Sequence, residues 1–324
     1  MMTTFRFTTI IRLLMVGFVS VSVLALSRSM VVAQDESPVI FTEASGATLP
    51  WDAALSPDGG MGYFTAIGGD GLPAVFSVPM SGGDVVEIAS GGSLVMPFGV
   101  AVGTDGANVY VTDPWSAGAS GNGIFSISTE SGAVALVAGT AGTMPQGLEI
   151  INQDGADQIF FSGYDPDDGQ PAIFQIPASG ASVPALLAKG APLTAPSGVT
   201  VSSDGTVYVL DRLAGEGKLG GVVRISGGSA ELIVGDIRTG GQLPGLTLTL
   251  DESLLLISSL NNEQGTAQVI VVDLATMATS IVDSVIRENV GAGGLHRAYN
   301  VNEFIWVDST SGFIGGTVYR VTFR

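Results

Sequence analysis

The chain contains no cysteine. That absence excludes disulfides, thiolate metal sites, redox motifs and cysteine nucleophiles together, so the fold must be held by packing and hydrogen bonds. Histidine is almost as scarce, since His296 is the single copy. Multi-histidine metal centres cannot exist, and any Ser-His-Asp triad would have to be built on that one ring. No G-x-S-x-G elbow supplies a serine for it. Positive charge is thin, with 12 Lys and Arg against 30 Asp and Glu and a net charge of −18. Such a surface repels phosphate backbones and anionic headgroups, which argues against nucleic acid as a partner. Beyond the first residues no 3.6-residue apolar period is sustained and no apolar run is long enough to span a bilayer.

The first residues are different. Arg6 and Arg12 precede an apolar block from Leu13 to Leu26, and Val31-Val32-Ala33 sets small residues where a signal peptidase cuts. This is the pattern of a secretory leader, and a block of about 14 apolar residues is short of the 18 or more that a spanning helix needs. The expectation is that residues 1–33 are removed and that residues 34–324 form one domain, secreted or periplasmic, monomeric and without a membrane span. Removal takes Arg6, Arg12 and Arg28 but no acid, moving the net charge from −18 to −21.

What the chain has in abundance is glycine, 46 residues of it, set among valine- and isoleucine-rich segments. Residues 97–128, PFGVAVGTDGANVYVTDPWSAGASGNGIFSIS, read as strand, Asp-Gly turn, strand, long loop, strand. Relatives of this unit recur at roughly 49 residues, a period that belongs to propellers, solenoids and arrays. The third strand marks the register, at Ala74–Val78, Gly123–Ile127, Ala172–Ile176, Gly221–Ile225, Gln268–Val272 and Thr317–Val321. Asp58-Gly59, Asp105-Gly106, Asp154-Gly155 and Asp204-Gly205 supply the tight turns before it, with Asp251-Glu252 and Asn300-Val301 in the last two units. The spacing predicts an all-β, six-bladed β-propeller of four-stranded antiparallel blades, starting near residues 50, 97, 145, 196, 244 and 293. The last unit ends after its third strand, while residues 38–46 resemble the fourth strand of the first blade. The N-terminal strand is therefore expected to close the last blade and remove a sheet edge.

Two stretches, P-F-G-V-A-V-x-x-D-G-x-x-V-Y-V-x-D from Pro97 and P-S-G-V-T-V-x-x-D-G-x-V-Y-V-x-D from Pro196, resemble NHL-type repeats and equally the gluconolactonase and regucalcin group of six-bladed propellers. The resemblance implies a divalent cation at the mouth of the central channel, held by Glu, Asn and Asp side chains at the starts of the inner strands. The matching positions here are Trp51, Phe98, Gln146, Ser197, Pro244 and Gly293, none of them a carboxylate or an Asn; Asp52 is the nearest acid. Asp113, Asp211 and Asp308, at the ends of second strands, match an Asp that in NHL-like repeats accepts hydrogen bonds from the following loop.

One step into the inner strands, a gap-free comparison aligns Ala54, Ala101, Glu149, Thr200, Thr247 and His296. Glu149 and His296 fall in opposed blades and are the candidate acid-base pair, or else a structural polar plug. Trp51, Asp52, Phe98, Gln146 and Ser197 at the strand starts, with Trp115 and Tyr164 in the long loops on that face, are the candidate ligand-binding residues. Asp165, Asp167 and Asp168 alternate like part of a calcium loop but lack its distal Glu, and are the candidate metal ligands. Gly215-Glu216-Gly217-Lys218 is no phosphate loop, because Leu219 stands where Ser or Thr is required. No cofactor is demanded by the sequence; Ca2+ or another divalent cation is the one left open. The expected role is an exported module that binds a small molecule or an extracytoplasmic protein through the channel mouth and long loops. The alternative is a lactonase- or esterase-type hydrolase with a diverged site around Asp52, Glu149 and His296.

Overall fold

Six four-stranded antiparallel sheets make up the fold in the computed structural model, which describes residues 40–41, 48–116, 121–240, 243–261, 263, 265–282, 291–308 and 316–321. All of them belong to one unit, Val32–Arg324. The secretory leader expected over residues 1–33 lies outside the described residues, and among those described no helix is long and apolar enough to cross a membrane. The architecture is the six-bladed propeller that the repeat spacing predicts. Blade four shows the pattern: an inner strand Pro196–Val201, then Val207–Asp211, Gly220–Ser226 and an outer Ser229–Ile237, each paired with the one before. The sixth blade runs Ala292–Arg297, Phe304–Asp308 and Thr317–Val321, and takes its outer strand from Ile40–Phe41 at the other end of the chain. Ile40 pairs with Tyr319 and Phe41 with Val318, so the ring is closed as the sequence suggests.

Burial explains why the middle strands read as unbroken apolar runs. Each blade is covered on both faces by its neighbours, so Val207–Asp211 and Phe304–Asp308 are buried at every position. The outer strands Val86–Ser90 and Thr279–Val282 are mostly exposed. The core is a series of layers between adjacent blades. Phe64 and Phe76 of blade one stack at 5.2 Å and pack with Ile305 and Val307 of blade six, while Phe161 and Phe174 of blade three stack at 5.1 Å beside Tyr110 of blade two. Burial of this kind is worth about 25 cal/mol per Å² of apolar surface, and with no disulfide it is the main stabilising term.

The turns follow one chemical pattern. Asp58 accepts from Ser56 Oγ at 2.6 Å and from the Gly60 amide at 3.0 Å, and Asp204 accepts from Ser202 Oγ at 2.6 Å and from the Thr206 amide at 2.9 Å. Gly59 takes the positive φ of 75° that this turn requires. The expectation for Asp113 and Asp211 is also met, since they bond the amides of Trp115 and Leu213 in the following loops. The same carboxylates hold the loops entering their blades, through Val95 and Met96 for Asp113 and through Thr194 and Ala195 for Asp211.

Candidate functional site

Near the starts of the inner strands a glycine recurs. Gly99, Gly147, Gly198, Gly245 and Gly294 occupy one equivalent position in blades two to six, and blade one has Asp52 there. A Cβ on Gly99 would lie 2.5 Å from Gln146 O, one on Gly147 2.3 Å from Ser197 O, one on Gly198 2.8 Å from Pro244 O and one on Gly245 2.1 Å from Leu295 N. The blades thus approach backbone to backbone, closer than any side chain permits. Hydroxyls lock the contact. Thr65 Oγ1 donates to Phe98 O at 2.6 Å, Thr112 Oγ1 to Gln146 O at 2.6 Å and Ser162 Oγ to Ser197 O at 2.5 Å, each crossing to the next blade.

Asp52 completes the ring. A Cβ on Gly294 would fall 1.6 Å from Asp52 Oδ1, so this carboxylate fills the space that glycine leaves open in blade six. Asp52 is 1% exposed and touches both neighbours: Oδ2 accepts from the Val100 amide of blade two at 3.0 Å, and Oδ1 lies 3.0 Å from His296 Nε2 of blade six. Burial favours the neutral imidazole, but the charge and hydrogen bond of Asp52, with Glu149 adding to them, outweigh it and push the His296 pKa up to about 9. The ring is an imidazolium at neutral pH.

Beyond this floor the channel widens into a cavity of about 150 Å³. Its walls carry Ala54, Ala101, Glu149, Thr200, Thr247 and His296, the six positions aligned from the sequence, followed by Arg297 and Glu252. Exposed Asn152, near the end of the inner strand of blade three, and exposed Ser203, on the turn after that of blade four, also line it, so the opening lies at the hairpin-turn end. This is opposite to the strand-start face expected from the sequence. Glu149 is half-buried; burial raises its pKa against the opposing pull of His296 and Arg297. Its own bonds are long, 3.2 Å from the Ile150 amide and 3.4 Å from Thr200 Oγ1. It is bonded neither to His296 nor to Arg297, whose Nε and Nη1 donate to the carbonyls of Leu248, Ala298 and Tyr299.

The remaining candidates sit elsewhere. Phe98 is buried and lies 6.2 Å from the Trp51 ring and 5.4 Å from that of Trp115, which is 47% exposed; the three form an aromatic cluster on the strand-start face. Ser197 Oγ is taken by Leu210 O at 2.8 Å, and Gln146 Nε2 folds back on Met144 O at 3.1 Å. With the carbonyls of Phe98, Gln146 and Ser197 also engaged between blades, the donors at the strand starts do not fit a divalent cation. Tyr164 heads the acidic loop, where Lys189 Nζ lies 2.7 Å from Asp165 Oδ2 and 3.0 Å from Asp168 Oδ2. That ammonium holds the Asp165 carboxyl below its usual range, while the Asp167 amide donates to Asp165 Oδ1. Among the described residues no group of three or more His, Asp or Glu side chains is arranged to hold a metal ion.

Fold and site together define a six-bladed β-propeller with a cavity lined by its inner strands. Solved structures share the fold: a gluconolactonase from Xanthomonas campestris (17% identity, TM-score 0.59, 90% of this chain and 97% of that one) and the hydrazine synthase of Kuenenia stuttgartiensis (15%, 0.54, 85% and 87%). TolB from Acinetobacter baumannii does so as well (13%, 0.52, 85% and 64%). No family model and no curated protein sequence matches the chain.

Proposed function

We propose that the protein is a secreted or periplasmic binding module that takes a small polar ligand into its axial cavity from the hairpin-turn face. The observation that supports this reading is the cavity itself: a chamber between the inner strands lined by His296, backed by the buried Asp52, and by further charged and hydroxyl-bearing residues. Convergent polar groups in a preformed concavity are the usual mark of a ligand site. Export rests on the leader pattern of residues 1–33.

The Asp52–His296 pair also suits a hydrolase in which Asp orients a His base, a reading strengthened by the fold shared with a gluconolactonase. A general base must be free to accept a proton at working pH. His296 titrates near 9 and faces Asp52 through Nε2, so this chemistry would set in only in alkali. The two readings separate in one assay series, lactone and ester hydrolysis from pH 6 to 10 beside thermal-shift screening of small polar compounds at pH 7. Ligand-induced stabilisation without hydrolysis at neutral pH is the expected result. Turnover at pH 7 abolished by His296→Gln would overturn the binding reading in favour of the enzyme.

A further inference from the structure

The cavity walls are sorted by chemistry around the axis. Blade six contributes His296 and Arg297, both cations. Blade three, diametrically opposed in a six-fold ring, contributes Glu149. Between these poles one flank, blades four and five, carries the hydroxyls of Thr200 and Thr247; the other, blades one and two, carries the methyls of Ala54 and Ala101. From this placement we infer that the ligand is a small zwitterion of the amino-acid type, its carboxylate toward His296 and Arg297 and its ammonium toward Glu149. The inference rests on the binding reading above and names the ligand class for the same cavity.

Other ligand classes fit less well for stated reasons. A simple anion would satisfy blade six but face the Glu149 carboxylate across the chamber, and a simple cation would face the imidazolium and guanidinium. A neutral polyol would use the two threonines yet strip water from three charged groups without replacing it, which is costly. The remaining titratable groups at the cavity do not alter the polarity. Asp52 is committed to His296 and Val100, Glu252 to the Ser203 amide at 2.7 Å and Ser203 Oγ at 2.9 Å, and Tyr299 lies at the rim. Glu149 keeps acceptor capacity because its two existing bonds are long, and Arg297 keeps Nη2. A cavity of about 150 Å³ is on the scale of a molecule with a short carbon chain between its charges.

Calorimetry at pH 7 on the full exported chain tests this with three probe sets: 4-aminobutanoate and 5-aminopentanoate as zwitterions, butanoate and butylamine as single charges, erythritol and xylitol as polyols. At least one zwitterion is expected to bind tenfold or more tightly than either single-charge probe. Glu149→Gln should weaken it at least tenfold without weakening butanoate. Ala101→Leu, which adds volume on the apolar flank, should abolish binding of every probe, and unchanged butanoate binding by the Glu149 variant shows that this variant is folded. Preferential binding of a polyol, unaffected by Glu149→Gln but lost with Ala101→Leu, would overturn the zwitterion while leaving the binding module intact. Failure of all six probes to bind would overturn both.

Discussion

At the scale of single residues, the Asp52–His296 contact carries the most consequence. The two are 244 positions apart in sequence and meet only because blade six abuts blade one. The sequence singled out both, His296 through alignment of the inner strands and Asp52 as the nearest acid, and the predicted ring makes the last and first blades neighbours, but an alignment of equivalent positions does not show that side chains two positions apart meet across that seam. Glu149 and His296 were paired instead, on the symmetry of opposed blades; the structure gives them a common cavity without a hydrogen bond. The physical consequence is a pH dependence with a definite sign. His296 has a folded pKa raised to about 9 from 6.5, so its stabilising contribution is complete below about 6.5 and is lost as pH rises through about 9. The shift corresponds to about 3 kcal/mol. Glu149, an acid whose folded pKa is also raised, acts in the same direction, favouring the fold when protonated and losing that contribution on ionisation. Urea denaturation from pH 6 to 10 should show wild-type stability falling toward pH 10. Asp52→Asn should start lower and lack most of that alkaline slope, because burial then drives His296 to the neutral ring. An unchanged slope in the variant would mean that another group titrates there.

Among the elements, the hairpin turns and the closing strand show how far a repeat can be read and where it fails. Third strands and Asp-Gly turns were legible because each has a fixed composition, and the N-terminal strand could be placed because it repeats the outer strand of blade one. Removing residues 38–46 should expose the edge of Thr317–Val321 and lower the melting temperature by several degrees or cause aggregation; an unchanged transition would show that the pairing contributes nothing. The exception in blade five is equally informative. Glu252 stands where four other blades have glycine, at a positive φ of 56°, and its side chain crosses to blade four to bond Ser203. Backbone strain of about 1 kcal/mol is the ordinary cost of such a residue, and the two inter-blade bonds offset it. Glu252→Ala, which keeps the strain and loses the bonds, should destabilise by about 1–2 kcal/mol. Glu252→Gly should recover part of that loss by relieving the backbone. Chemical denaturation of the three proteins in parallel gives the order directly.

For the whole molecule, what matters is which end of the axis is open. Composition and period gave the number of blades, and the likeness to gluconolactonase-type propellers drew attention to the strand starts. The contrary signal is present in Gly99, Gly147, Gly198, Gly245 and Gly294, but among 46 glycines a spacing alone does not distinguish a packing position from a turn. At that position a glycine in blades two to six, and Asp52 in blade one, lets neighbouring backbones close on one another, and the cavity lies beyond this ring, toward the hairpin turns. The two faces should therefore be functionally separable. Trp115, exposed on the strand-start face against Phe98, does not line the cavity. Trp115→Ala should leave the affinity of the axial ligand within twofold of wild type, whereas Ala101→Leu should abolish it. A zwitterion carries no net charge, so its affinity should also vary little between low and high salt despite the net charge of −18, because screening acts mainly on net attraction or repulsion at long range. Loss of binding in Trp115→Ala would place the ligand on the aromatic face instead, and the glycine ring would then serve only to hold the blades together.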